Sequence, residues 1–196
     1  MLTKSQQAIK RSFDIIVSII ILPVIIIPLF FLWFFATLST GRNGLFIQRR
    51  IGRYGKEFGL LKFRSLKGSD HTDIKRIKDS ETTFGAWIRK NKLDELPQFL
   101  NVLVGDMSLV GPRPDIPGYA DLLKGEDKVI LRIRPGITGP ATLKYRNEDE
   151  LLLQQEDPNL YNDEVIWPDK VKINKEYISK WSLGGDLKYM WRSVFG

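Results

Sequence analysis

Cysteine is absent from the chain, and histidine occurs once, as His71. Without thiols there is no disulfide framework and no thiolate metal site. The lone histidine sits in the polar stretch Gly68-Ser69-Asp70-His71-Thr72-Asp73, where solvation is the simplest reading. A Ser-His-Asp relay therefore lacks its base. Acidic residues are outnumbered, 23 against 30 Lys and Arg, for a net charge of +7. That excess favours anionic partners: lipid headgroups, nucleotides or nucleic acid. Nucleic acid carries little weight. The basic residues are scattered, the aromatics fall mostly in apolar runs, and no reader motif occurs. There is no internal repeat and no low-complexity linker. A length of 196 residues suits one modest domain with an appendage.

Long hydrophobic runs are scarce as well, but the one present is decisive. Ile15 to Leu38 is almost wholly apolar and long enough for a membrane span. It exceeds the apolar region of a cleaved signal peptide. Pro23 and Pro28 lie inside it, and each removes a backbone donor, so a kink is expected. Both flanks are basic: Lys4, Lys10 and Arg11 before, then Arg42, Arg49, Arg50, Arg53 and Lys56 after. The positive-inside tendency then puts both ends on the cytoplasmic side. A helix that enters, bends at proline and returns satisfies both facts. A straight span is the alternative, since prolines also occur in spanning helices.

The most informative stretch runs from Lys92 to Pro114, KLDELPQFLNVLVGDMSLVGPRP. Asp94 and Glu95 stand ahead of Pro97 at the start of an expected helix. Its apolar face is Leu96, Phe99, Leu100 and Leu103, and Gly105 closes it. Helix capping is the plain reading of such a pair. The chemical reading adds Arg113, held between Pro112 and Pro114. One carboxylate attacks a phosphate, one holds a metal, and the cation binds phosphate oxygens.

Elsewhere, 45–48 and 59–63 read as strands of a hairpin around Arg53 to Lys56. The stretch 68–82 is polar and irregular, and 84–90 is helical. A helical stretch falls within 115–132, with apolar Leu122, Leu123, Val129 and Ile130. Arg134 to Pro140 is a rigid, glycine-punctuated loop. Residues 148–157 form an acidic, solvated helix. In 186–195, apolar positions 187, 190, 191, 194 and 195 ride beside Lys188 and Arg192, which suits an interfacial helix or a core helix equally.

Several blocks in order carry a family resemblance. They are Lys10-Arg11-Ser12-Phe13-Asp14, Gln48-Arg49-Arg50-Ile51-Gly52, Lys62-Phe63-Arg64-Ser65, Leu93-Asp94-Glu95-Leu96-Pro97-Gln98 and Met107 to Pro114, followed by Arg134 to Gly139 and Trp181-Ser182-Leu183. The chain resembles the bacterial sugar transferases, the monotopic phosphoglycosyl transferases, in their minimal form. The resemblance implies an α+β, mainly helical fold: a re-entrant membrane helix kinked at proline, a short β-hairpin and interfacial amphipathic helices. Residues 1–40 would be membrane-inserted, and 41–196 would form a cytosolic, membrane-associated catalytic domain at the cytoplasmic face of the bacterial inner membrane. The implied activity moves a sugar phosphate from a UDP-sugar to a polyprenyl phosphate such as undecaprenyl phosphate and releases UMP. That is the first membrane step of polysaccharide or glycoconjugate assembly, with downstream glycosyltransferases and anionic membrane lipids as further partners.

The same resemblance makes Asp94 the nucleophile that forms a phosphosugar-enzyme intermediate, and Glu95 the ligand of a required Mg2+. Arg89 and Arg113 align with phosphate-binding arginines. Lys62 and Arg64 fall in a motif at the site floor, and Arg134 opens a loop facing the nucleotide or the membrane. Two departures stand out. The family's Ser-Pro at the membrane bend is here Leu22-Pro23 or Ile27-Pro28, with spacing favouring Pro28. After Gly139, where many relatives read Trp-Ala-Gln-Val, this chain has Pro140-Ala141-Thr142-Leu143, a change that bears on sugar or nucleotide choice. Two other classes compete. One is a membrane-bound hydrolase using the acid pair, but the paired carboxylates of a glycosidase stand about 5–10 Å apart on two sides of the substrate, which sequence neighbours suit poorly. A non-catalytic surface adaptor needs no acid pair at all.

Overall fold

A computed structural model describes residues 1–68 and 80–196. His71 and most of the stretch expected to be irregular lie outside the described residues. The chain opens with α1, Lys4–Thr40, a single 37-residue helix with Pro23 and Pro28 inside it. Its start is a capping box: Thr3 Oγ1 accepts from Gln6 N–H, and Gln6 Oε1 accepts from Thr3 N–H. Gly41, at φ 70°, ends it in the left-handed region.

The two ends of α1 pack on the rest of the chain, and its middle does not. Near the start, Phe13 and Val17 join the main core, built from Leu60, Val102, Met107, Val110, Ile133 and Ile178 among others. Near the end, Leu32 and Ala36 are buried with Phe63 and Ile88 in a second cluster. Between them the apolar side chains point outward, with Val24 73% exposed. The core helix of a soluble protein would hide such residues. Only 11% of the most apolar window of α1 is buried, as suits a helix covered by lipid. The chain is membrane-associated.

The expected hairpin is present and longer than its apolar cores suggested. β1, Leu45–Ile51, pairs antiparallel with β2, Glu57–Phe63, from Leu45 opposite Phe63 to Ile51 opposite Glu57. Helix α2, Thr83–Lys90, follows the undescribed stretch, capped by Thr82 Oγ1. One turn of 3-10 helix, Leu93–Glu95, leads to α3, Gln98–Val104, which Gly105 closes at φ 100°.

Helix α3 corrects the expected apolar face. Its most buried positions are Gln98, Asn101 and Val102. Asn101 donates to Gly59 O (2.8 Å) and accepts from Leu61 N–H (3.0 Å), fastening α3 to the middle of β2. The apolar row is divided instead. Leu96 packs on the second cluster and Phe99 on the main core, while Leu100 faces outward beside Val104, itself 71% exposed. Periodicity reports which residues avoid water; it does not say whether protein or lipid covers them.

A parallel pair of short strands was not foreseen. β3, Ser108–Val110, pairs with β4, Gly136–Thr138, inside the segment read as a rigid loop. Glycine at 136 is required by close approach: a β-carbon there would sit 2.1 Å from Gly111 N. The stretch 115–132 holds two 3-10 segments, Ala120–Leu122 and Gly125–Arg132, rather than an α-helix, with Ile130 buried and Leu122 exposed.

Short helices α4 (Pro140–Lys144), α5 (Glu148–Leu153) and α6 (Pro158–Tyr161) precede α7, Trp167–Ser179, and α8, Leu183–Phe195. In α8 the polar and apolar roles are reversed. Asp186 is 1% exposed, whereas Trp191 is 65% exposed and Leu187, Val194 and Phe195 also face outward. The helix serves both readings: Tyr189 and Met190 pack on the main core, while the outward apolar row suits an interface. Asp186 takes 2.6 Å and 2.7 Å contacts from Lys10 Nζ and Tyr177 Oη, and Trp181 Nε1 donates to it at 3.0 Å. A buried carboxylate thereby joins α1 to α7 and α8.

Candidate active site

The acid pair does not cap a helix. Lys92, in the left-handed region at φ 55°, turns the chain so that Asp94 and Glu95 fall on the 3-10 turn, and Pro97 precedes α3. No capping hydrogen bond involves either carboxylate. Both are buried, Asp94 at 8% exposure.

Glu95 is held tightly. Arg113 Nη2 donates to its Oε1 at 2.6 Å, and Lys62 Nζ lies 3.7 Å from the same oxygen. Lys62 comes from β2, where strand alternation turns positions 60 and 62 to one face. Arg113 is mounted between two fixed carbonyls. Pro112 O accepts from Gly136 N–H (2.8 Å), and Pro114 O accepts from Arg50 Nη1 (3.2 Å). Burial pushes the Glu95 carboxyl up, but Arg113 and Lys62 outweigh it and hold the group down at about 2. Glu95 is therefore ionised throughout the working range. Glu95 in turn raises Arg113.

Asp94 differs from its neighbour. Among the described residues, no hydrogen bond or ion pair engages its carboxylate. Burial raises its pKa, Lys62 opposes this, and the negative charge of Glu95 adds to the rise. A poorly solvated carboxylate beside cations, with no partner occupying its lone pairs, is suited to attack an electrophile. Glu95 is not, because its charge is already spent on Arg113.

The remaining candidates divide. Arg89 ends α2 and binds Asp149 Oδ2 (3.3 Å) and Glu81 Oε1 (3.4 Å), while its charge still lowers Asp94. Arg64 turns away: its Nε donates to Asn43 O (2.8 Å), and its guanidinium covers the Phe46 ring. Arg134 is also engaged elsewhere, donating from Nε to Gly105 O at 2.7 Å. The structure thus gathers Asp94, Glu95, Lys62 and Arg113, with Arg89 beside them; Arg64 and Arg134 make other contacts.

Four residues without an assigned role join this group. Arg50 binds Gln48 Oε1 at 2.8 Å; burial and the nearby Arg113 lower its pKa to about 10. Asp115 is pushed up to about 6 by burial, against Lys170 and Arg50. Glu148 binds Lys170 at 2.6 Å. Helix α5, read as a solvated acidic helix, therefore sends Glu148 and Asp149 towards the site. Arg50 had a faint sequence signal: in β1 it alternates with the exposed Arg49, so one arginine of the pair must face inward.

Lys62 gives a pH-dependent test. Burial and then Arg113 lower its pKa to about 8, despite Glu95 and Asp94. Below that value it is a cation able to meet an anionic ligand; above it the charge is lost. kcat/KM, which reports the free enzyme, is expected to fall on the alkaline side of about 8. Lys62→Arg should move that limb upward, because guanidinium does not deprotonate there. An unchanged alkaline limb in the variant would assign it to another group.

An outward-facing apolar helix lies beside a buried acid pair framed by cations, an arrangement suited to phosphate-bearing ligands at a membrane surface. The chain belongs to the bacterial sugar transferase family, whose model matches residues 5–196. Among similar proteins is the undecaprenyl-phosphate galactose phosphotransferase of Salmonella typhimurium, 32% identical over 97% of this chain and 40% of its own length. The UDP-glucose:undecaprenyl-phosphate glucose-1-phosphate transferase of Escherichia coli is 34% identical over 96% of this chain and 40% of its own length. The uncharacterized sugar transferase EpsL of Bacillus subtilis is 34% identical over 95% of this chain and 85% of its own length. The chain thus spans about two fifths of the first two relatives and most of the third.

Proposed function

We propose that this chain transfers a sugar phosphate from a UDP-sugar to undecaprenyl phosphate at the cytoplasmic face of the bacterial inner membrane, releasing UMP. The names of the Salmonella and Escherichia relatives support the reaction class. The observation that carries the assignment is the division of labour in the acid pair: Glu95 locked by Arg113, Asp94 buried without a partner among the described residues.

In the first step an Asp94 carboxylate oxygen attacks the sugar-bearing phosphorus. The bond from that phosphorus to the UMP oxygen breaks, and UMP leaves with the electron pair. In the second step a phosphate oxygen of undecaprenyl phosphate attacks the same phosphorus. The aspartyl–phosphorus bond breaks, and Asp94 is restored as a carboxylate. No proton has to be removed from Asp94, which explains why the scarcity of histidine is no obstacle. Arg113, Lys62 and Arg89 balance phosphate charge through both steps.

Mg2+ fits the donor set. Among the described residues there is no cluster of three or more His, Cys, Asp or Glu side chains. A hard cation that takes most of its oxygens from water and substrate phosphates needs only one or two carboxylates. Arg113 and Lys62 both contact Oε1 of Glu95, which leaves Oε2 to hold the ion. When bound, it would neutralise the diphosphate and improve UMP as a leaving group.

The re-entrant reading of α1 is supported by Pro23 and Pro28 within its exposed stretch and by basic residues on both flanks.

Donor alone tests the mechanism. Enzyme mixed with UDP-sugar and Mg2+, without acceptor, should release one equivalent of UMP per site and stop. Continuous release would indicate a hydrolase. No release until acceptor is added would indicate direct transfer.

A further inference from the structure

A second basic cluster lies apart from the acid pair. Arg11, Arg53 and Arg134 line one cavity with Leu2, Gln7 and Asp14. Each is fixed by neutral partners. Arg11 donates to Val102 O (2.6 Å) and Leu103 O (2.9 Å), and Arg134 donates to Gly105 O, so both cap the carbonyl end of α3. Arg53 donates to Arg132 O (3.0 Å) and Gln7 Oε1 (2.6 Å). A β-carbon on Gly105 would lie 3.3 Å from Arg11 Nη2 and 3.9 Å from Arg134 Nε, so two guanidinium groups border one spot.

Among the described residues, none of the three forms an ion pair with a carboxylate. Asp14 is the one acid lining the cavity, and its Oδ1 accepts from Leu109 N–H (3.0 Å). Lys10, also lining it, is neutralised by Asp186. Like charges brought together with one acid between them leave a net positive pocket with unused N–H donors. The pocket's height is also fixed. Arg11 stands one helical turn before the apolar run begins at Ile15, and the α3 end that it caps carries the outward-facing Val104. Guanidinium groups at that level meet phosphate, which they bind in a forked geometry.

We propose that Arg11, Arg53 and Arg134 form a binding site for the phosphate of an anionic phospholipid, separate from the transfer site. The inference rests on α1 lying in the membrane. The lipid supplies the missing counter-charge and ties the carbonyl end of α3, and through it the acid-bearing turn, to the bilayer surface.

The test uses the full chain reconstituted in phosphatidylcholine vesicles containing phosphatidylglycerol, then extracted into mild detergent for native mass spectrometry. The wild type should retain one phosphatidylglycerol. Arg53→Gln should lower the retained fraction about tenfold, the loss of one charge-assisted contact. Arg49→Gln, on a side chain that is 85% exposed, should leave it unchanged. Arg53→Lys, which keeps the charge, should retain more lipid than Arg53→Gln, separating lipid binding from local packing. Equal retention in wild type and Arg53→Gln overturns the site. So does displacement of the lipid by millimolar inorganic phosphate, which would make the ligand a soluble anion. Flotation with pure phosphatidylcholine vesicles checks the premise. A chain that floats but shows no Arg53-dependent retention refutes the site alone, and one that does not float refutes the membrane placement and the site together.

Discussion

Replacing Asp94 by asparagine is expected to lower transfer at least about a thousandfold, a barrier increase of about 4 kcal/mol. The substitution keeps shape and removes the nucleophilic oxygen charge. Because no described contact holds the Asp94 carboxylate, the fold should be unaffected. Glu95 cannot take over, since Arg113 and Lys62 hold its Oε1 and stabilise its charge. Mass spectrometry of wild type mixed with donor should show a phosphosugar adduct at position 94, absent from the variant. A variant that keeps full activity while still binding membranes would end the nucleophile assignment.

The second large effect concerns stability. Asp186→Ala should destabilise the chain by about 3–5 kcal/mol, the usual cost of breaking a buried ion pair by removing one partner. Lys10 would be left charged in a site where its side chain is 7% exposed, and the Tyr177 and Trp181 donors would lose their acceptor. Lys10→Met combined with Asp186→Leu should recover much of the loss, because an apolar pair has no charge to leave unpaired. By contrast, removing the Lys180–Glu176 pair, whose side chains are 76% and 60% exposed, should leave the melting temperature essentially unchanged. Thermal unfolding in one detergent compares all three. If Asp186→Ala melts with the wild type, the buried contact does not hold α1 to α7 and α8.

The acid pair was legible because its members adjoin and because Arg113 lies between prolines in the same short block. The hairpin was legible from local alternation around a polar turn. What escaped reading depends on pairings distant in sequence. β3 and β4 meet with more than two dozen residues between them, and neither is long enough to announce itself. The inward turn of Arg50 follows from strand register, and Asp115, Glu148 and Lys170 converge through three separate elements. Arg64 and Arg134 match a family pattern, but their carbonyl partners at Asn43 and Gly105 are set by tertiary contacts. The apolar row of α3 reads as a single face because hydropathy treats lipid and protein interior alike.

The contact between Lys10 and Asp186 closes a loop of 176 positions. A ribosome adding ~5–20 residues per second needs roughly 10–35 s to cover that interval. For most of it, α1 is complete and the surfaces around Leu60, Ile88 and Val102 follow, but Asp186 has not been made. The order of synthesis thus gives α1 time to enter a bilayer before α8 closes the clasp on Lys10. A generic hydrophobic anchor grafted in place of α1 would deliver the remainder of the chain to the bilayer without the lysine that the clasp receives.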